Sequence, residues 1–141
     1  AREAVGPNGK VVVFDVNRDA LSEVVQLEIT QDVVPVDLLD PIRTYGLAMD
    51  ATEGSLFEFV VNATNIGGTE TSAILATRDR GQIFFFGMAT NFQVAALSAE
   101  GAGKDIEMII GNGYADSCVS FAFDLVRRSP GLRTLLQRRF A

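Results

Sequence analysis

The chain has 141 residues, a net charge of −6, one cysteine and no histidine, with 48% apolar and 21% charged residues. A chain of this size makes one domain, and it buries about 68–70% of its unfolded surface. The acidic balance and the lack of a basic cluster before the tail argue against nucleic acid and anionic membrane partners.

No apolar run approaches ~20 residues, so no membrane span is expected. The opening AREAVGPNGK has no apolar core followed by a cleavage site, so it is not a signal peptide. Cys118 stands alone, which rules out an internal disulfide and a cysteine zinc cluster. Without histidine, a Ser-His-Asp triad within the chain is impossible, and no metal site is expected. A cytoplasmic setting is the default expectation.

Ala1 to Val5 reads as the last turn of a helix, stopped by Gly6-Pro7-Asn8-Gly9. Lys10 to Asp15 carries Val11, Val12, Val13 and Phe14 without alternation, the pattern of a strand buried on both faces of a parallel sheet. Asn17 or Asp19 can cap a helix over Ala20 to Leu27, with Leu21, Val24, Val25 and Glu28 at helical spacing. Val33 to Val36 is a short strand closed by Asp37. Asp40-Pro41 opens a helix over Ile42 to Ala51, with Tyr45, Met49 and Leu47 expected inward.

Leu56 to Ala63 is a third strand, and Thr69 to Arg78 a helix with Ala73, Ile74 and Leu75 apolar. Asp79-Arg80-Gly81 predicts a turn before the strand Gln82 to Phe86. Phe92 to Ala99 is expected to be loop plus a short helix, and Gly101 to Lys104 a flexible joint. Ile106 to Ile110 is a fifth strand, ending at Gly111-Asn112-Gly113-Tyr114. A helix from Asp116 to about Arg128 presents Val119, Ala122, Phe123 and Val126 on an apolar face. Pro130 starts a last helix, whose basic end suits its macrodipole.

Strands alternating with helices through short connections define an α/β, Rossmann-type parallel sheet covered by helices on both faces. No GxGxxG follows a first strand, and the acid of Asp15 belongs at the end of the second strand of that fold. The expectation is a partial domain over residues 1–141, the carboxyl-terminal part of a longer enzyme, without the central strand and its phosphate loop.

Residues at the carboxyl ends of parallel strands face the ligand crevice. Asp15 there would accept hydrogen bonds from both hydroxyls of an adenosine ribose. A carboxylate matches a diol and repels a 2′-phosphate, so Asp15 favours NAD over NADP; capping of the next helix explains it about as well. Asn17 and Arg18 follow it, with Arg18 placed against adenine, at a phosphate, or as an exposed helix start. Asp37 could meet the adenine amino group while Leu38 packs on the ring, or be a turn acid. Thr64 and Asn65 would lie near the nicotinamide ribose, or end a strand. Gly87 and Met88 could offer backbone groups to the nicotinamide amide, a small residue allowing close approach. The glycines at 67–68 and at 111 and 113 follow the wrong strands for a phosphate role. Cys118 is expected in the core, and Glu70, Glu100, Asp105 and Glu107 on solvated surface.

Phe14-Asp15, Asn62-Ala63-Thr64-Asn65, QIFFFGM with Ala89-Thr90-x-Phe92, Gly103-Lys104-Asp105 and IIGNGY occur together. On these residues the chain resembles the cofactor-binding half of the medium-chain, zinc-alcohol-dehydrogenase-like oxidoreductases. Within them it is most similar to a branch that deaminates a diamino acid in lysine fermentation. The resemblance implies NAD, a small diamino-acid substrate, Asp15 at the ribose, cofactor contacts from the turns at Thr64-Asn65 and Gly87-Met88, and a homodimer formed edge to edge by Ile106 to Ile110. It implies that acid-base groups and any metal lie upstream. Other readings are a medium-chain reductase using NADPH, a methyltransferase with a ribose-binding acid, and a non-catalytic nucleotide-binding or subunit-contact module.

Overall fold

A computed structural model describes residues 1–30, 32–110 and 115–141. Its order is α1 (Arg2–Val5), β1 (Val12–Asp15), α2 (Arg18–Gln26), β2 (Asp32–Pro35), α3 (Pro41–Ala51), β3 (Phe57–Asn62), α4 (Glu70–Ala76), β4 (Thr77–Phe85), α5 (Phe92–Ala102), β5 (Glu107–Ile110), α6 (Cys118–Arg128) and α7 (Pro130–Phe140). All strand pairings are parallel. The fold is thus the α/β, Rossmann-type half domain expected from the alternation of elements.

The strands form two sheets, β1-β2 and β3-β4-β5. In the first, Phe14 pairs with Val34 and Asp15 with Pro35. In the second, Val61 pairs with Phe84 and Phe84 with Ile109. β1 has β2 as its one neighbour and β3 has β4, so each keeps an unpaired edge among the described residues. Phe14 of β1 and Phe57 of β3 meet edge to face, ring centres 5.9 Å apart.

The core lies where α4 and α5 cover β3-β4-β5. Ala73, Ile74, Ile83, Phe85, Ala95 and Ala99 are buried there, with Val60, Ile106 and Met108 packed on them. Fully burying each isoleucine contributes about 1.5–3 kcal/mol. Helix starts follow the local chemistry. Asn17 Oδ1 accepts from the Asp19 and Ala20 N–H groups, and Asp40 Oδ1 from Arg43 N–H ahead of Pro41 at the first turn.

Four expectations change. Phe92 to Ala102 is one continuous helix, capped by Asn91 and closed by left-handed Gly103, so Gly101 sits inside it and not in a joint. The turn at Asp79-Arg80-Gly81 survives as an irregularity within β4, where pairing jumps from Phe57–Thr77 to Phe59–Gln82. Arg80 adopts φ 58° there, and its N–H donates to the Asp105 carbonyl. In α3 the buried residues are Thr44 and Ala48, while Tyr45 reaches the surface. Finally, Cys118 is exposed, as are Val119 and Phe123, because α6 packs on α7 and none of its residues is buried.

Among the described residues no helix is long and apolar enough to cross a membrane, and no group of three or more His, Cys, Asp or Glu is placed to hold a metal ion.

Candidate functional site at the strand ends

The carboxyl ends of β1, β2 and β3 lie around one cleft. They enclose a cleft of about 320 Å³ lined by Asp15, Val16, Asp37, Leu38, Leu39, Thr64, Asn65, Ile66 and Thr69. That volume lies at the lower end of the range for small-ligand sites. Asp15, Asp37, Leu38, Thr64 and Asn65, proposed one by one from the sequence, share this cleft. Asn17, Arg18, Gly87 and Met88 do not line it. The strand end at Gly111-Asn112 lies outside the described residues.

The two acids have similar local geometry. Asp15 Oδ1 accepts from the Asn17 N–H at 2.8 Å, and Asp37 Oδ1 from the Leu39 N–H at 2.9 Å. Each carboxylate closes its own short turn with one oxygen. The cap of α2 is Asn17 and not Asp15, so helix capping does not account for Asp15. The second oxygen, Oδ2, has no protein hydrogen bond among the described residues in either acid. An ionised carboxylate accepts up to about four hydrogen bonds. Both therefore keep acceptor capacity at the cleft.

Beneath the cleft lies a buried polar network that the sequence reading missed. Asn62 ends β3 at 7% exposure. Its Nδ2 donates to Thr69 Oγ1 at 3.0 Å, and its Oδ1 accepts from the Thr64 N–H and hydroxyl. Its carbonyl accepts from the N–H groups of both Phe86 and Gly87. Thr64 is thereby fixed in place. The fold itself requires glycine at position 87: a Cβ there would lie 3.0 Å from the Thr64 carbonyl carbon, and closer still to its oxygen. Met88, by contrast, is 93% exposed at the tip of the following turn.

The first turn of α4 ties these loops together. Ser72 Oγ donates to the Leu38 carbonyl at 2.6 Å, and Thr69 Oγ1 to the Ile66 carbonyl at 3.3 Å. Glu70, expected at the surface, is buried, and its carboxylate accepts from the Gly68 and Asn91 N–H groups. Glu100, Asp105 and Glu107 are exposed.

Farther off, Lys104 Nζ donates to the carbonyls of Ile74, Leu75 and Thr77, where α4 runs into β4. Burial lowers the pKa of this lysine from its ordinary value, and the charge of Asp79 opposes that shift.

Strand ends of a parallel sheet, an apolar cleft and acids with free acceptor capacity make this the crevice side of a Rossmann-type half domain, where open α/β sheets take their ligands. No family model matches the chain. The chain is 35% identical over 140 residues to the L-erythro-3,5-diaminohexanoate dehydrogenase of Acetoanaerobium sticklandii, a match covering 99% of this chain and 41% of that protein. It is 37% identical over 135 residues to the Fusobacterium nucleatum protein of the same name, covering 96% of this chain and 39% of that one. The chain therefore spans about two-fifths of the length of these curated relatives.

Proposed function

We propose that residues 1–141 are part of the cofactor-binding domain of a cytoplasmic dehydrogenase. The complete protein would oxidatively deaminate L-erythro-3,5-diaminohexanoate to 5-amino-3-oxohexanoate and ammonia, taking up water. The substrate is read from the name shared by two relatives that match almost the whole chain. Bound NAD would supply the hydride acceptor.

The observation that carries the cofactor half of this reading is Asp15. It lines the cleft, does not cap α2, and keeps one carboxylate oxygen without a protein partner among the described residues. A ribose diol offers that oxygen donors, whereas a 2′-phosphate would bring a second negative charge against it. Asp37 would accept from the adenine amino group, with Leu38 and Ile66 supplying apolar walls. Thr64 and Asn65 would face the nicotinamide ribose, and the backbone at Gly87 and Met88 its amide. Asn17 and Arg18 would border the adenosine end.

β1 and β3 each have a free edge among the described residues, and one more parallel strand from the rest of the protein would pair with both. That strand would carry the pyrophosphate loop. The edge strand β5, with Ile109 and Ile110 partly exposed, would pair two copies into a homodimer.

The test is turnover by the complete protein with the diamino acid and either NAD or NADP, beside an Asp15→Ala variant. Reduction of NAD that is lost in the variant supports the reading. Oxidation of a different substrate with NAD would overturn the substrate, and preference for NADP would overturn the role of Asp15. Light scattering decides the dimer, which a strict monomer would refute.

A further inference from the structure

Glu70 is 1% exposed, and no salt bridge involves it among the described residues. A buried acid is costly unless its oxygens are hydrogen-bonded. Here both are, and by backbone alone: Oε2 accepts from Gly68 N–H at 2.9 Å and Oε1 from Asn91 N–H at 2.6 Å. The two amides belong to different loops. Gly68 closes the loop after β3, and Asn91 ends the loop after β4 while its side chain caps α5.

The same two loops touch nearby, since a Cβ on Gly67 would lie 3.5 Å from the Ala89 carbonyl. The loop after β4 is thus held at both ends. Gly87 is fixed by the Asn62 carbonyl and by the close Thr64 backbone, and Asn91 is fixed by Glu70. Thr90 closes the turn inside, its hydroxyl donating to the Gly87 carbonyl at 2.8 Å.

We propose that Glu70 is a positioning residue, which locks the loop after β3 to the loop after β4 and so sets the surface offered to the nicotinamide half of the dinucleotide. This rests on the cofactor reading given above. The adenosine half would be met by Asp15, Asp37 and Leu38, with none of which Glu70 shares a hydrogen bond among the described residues. A neutral apolar residue would fill the same space without the cost of burying a charge, but it could not hold two amides from two loops.

The experiment uses the complete protein and its Glu70→Gln and Glu70→Asp variants, titrated with NAD and with AMP. Glutamine keeps one acceptor oxygen and turns an NH2 group toward the other amide, so one link is lost. The expected result for Glu70→Gln is a KM and Kd for NAD raised roughly tenfold, the consequence of one unpaired buried amide. AMP binding should stay within about twofold of wild type, because its contacts are untouched. Glu70→Asp, which keeps both oxygens on a shorter stem, should recover part of the loss.

Equal weakening of NAD and AMP, or a lowered Tm with NAD binding unchanged, overturns the proposal and leaves Glu70 a residue of the fold. A wild-type protein that binds AMP but not NAD overturns it as well. One that binds neither refutes the cofactor reading on which it stands. Should the variants not fold, amide exchange in the unaltered protein decides: slow exchange at both Gly68 and Asn91 supports the lock, and fast exchange at either overturns it.

Discussion

The backbone of Gly87 lies against that of Thr64, so that a Cβ at Gly87 would come within 3.0 Å of the Thr64 carbonyl carbon. Two strand ends are joined by this contact, and Asn62 reinforces it by accepting from both Phe86 and Gly87. Gly87→Ala must therefore push backbone against backbone, which no rotamer change relieves. Overpacking of this kind costs about 1–3 kcal/mol. Thermal unfolding should show the loss, and ligand affinity at the cleft should fall with it because Thr64 moves. An alanine variant as stable as wild type would mean that the strand ends separate easily.

Gly46 makes the opposite case. It lies in the middle of α3, exposed, and a Cβ there meets nothing within 4 Å. Its φ is not in the left-handed region, so alanine suits the backbone. Gly46→Ala should stabilise the chain by about 0.5–1 kcal/mol, through helix propensity and a less free unfolded chain. Denaturant unfolding of the two glycine variants side by side would shift the midpoint in opposite directions.

The strands were legible because they are short, continuous apolar runs bounded by turn residues, although in β3 and β5 only one face is covered: Val60 and Met108 pack on the core while Phe59, Val61 and Ile109 are exposed. Their ends then located Asp15, Asp37, Thr64 and Asn65 at a single cleft. Glu70 was not legible, since its two partners are local in one case and 21 residues away in the other. One signal was present. Glu70 stands three and four positions before Ala73 and Ile74, and so shares a helical face with two core residues of α4. The apolar stripe of α6 could be read as a stripe, but periodicity does not say what a stripe packs against. Val119 and Phe123 are exposed, with Cys118 beside them. Helix α5 was obscured by Gly101 and by a sequence with few polar residues, although Asn91 and Gly103 are ordinary end signals.

Lys104 gives a prediction in pH. Its folded pKa lies below the usual 10.5 because burial disfavours the ammonium, with Asp79 acting against the shift. Between the lowered folded value and 10.5 the unfolded chain binds more protons than the native one, so this group makes stability rise with pH across that window. Below the window both states carry the charge, and the contribution is constant. Lys104→Met removes this alkaline rise, visible as the difference between wild-type and variant stability plotted against pH. At neutral pH the variant also leaves the Ile74, Leu75 and Thr77 carbonyls without their donor. That should cost about 1–2 kcal/mol. A difference that stays flat up to pH 10.5 would contradict the shift.

Asp15 carries two roles that one substitution can separate. One oxygen closes the turn with the Asn17 N–H, and the other is left to the cleft. Asparagine can supply the turn oxygen as well as aspartate does, so Asp15→Asn should unfold within about 0.5 kcal/mol of wild type. It cannot supply the second acceptor or the negative charge. In the complete protein NAD should then bind roughly tenfold more weakly, the loss of a charge-assisted hydrogen bond. NADP should lose nothing or gain, because the repulsion of its 2′-phosphate is relieved. Titration of wild type and variant with both dinucleotides makes the comparison. If stability falls while the ratio of NAD to NADP affinity is unchanged, Asp15 serves the turn alone and the ribose must be held by another group.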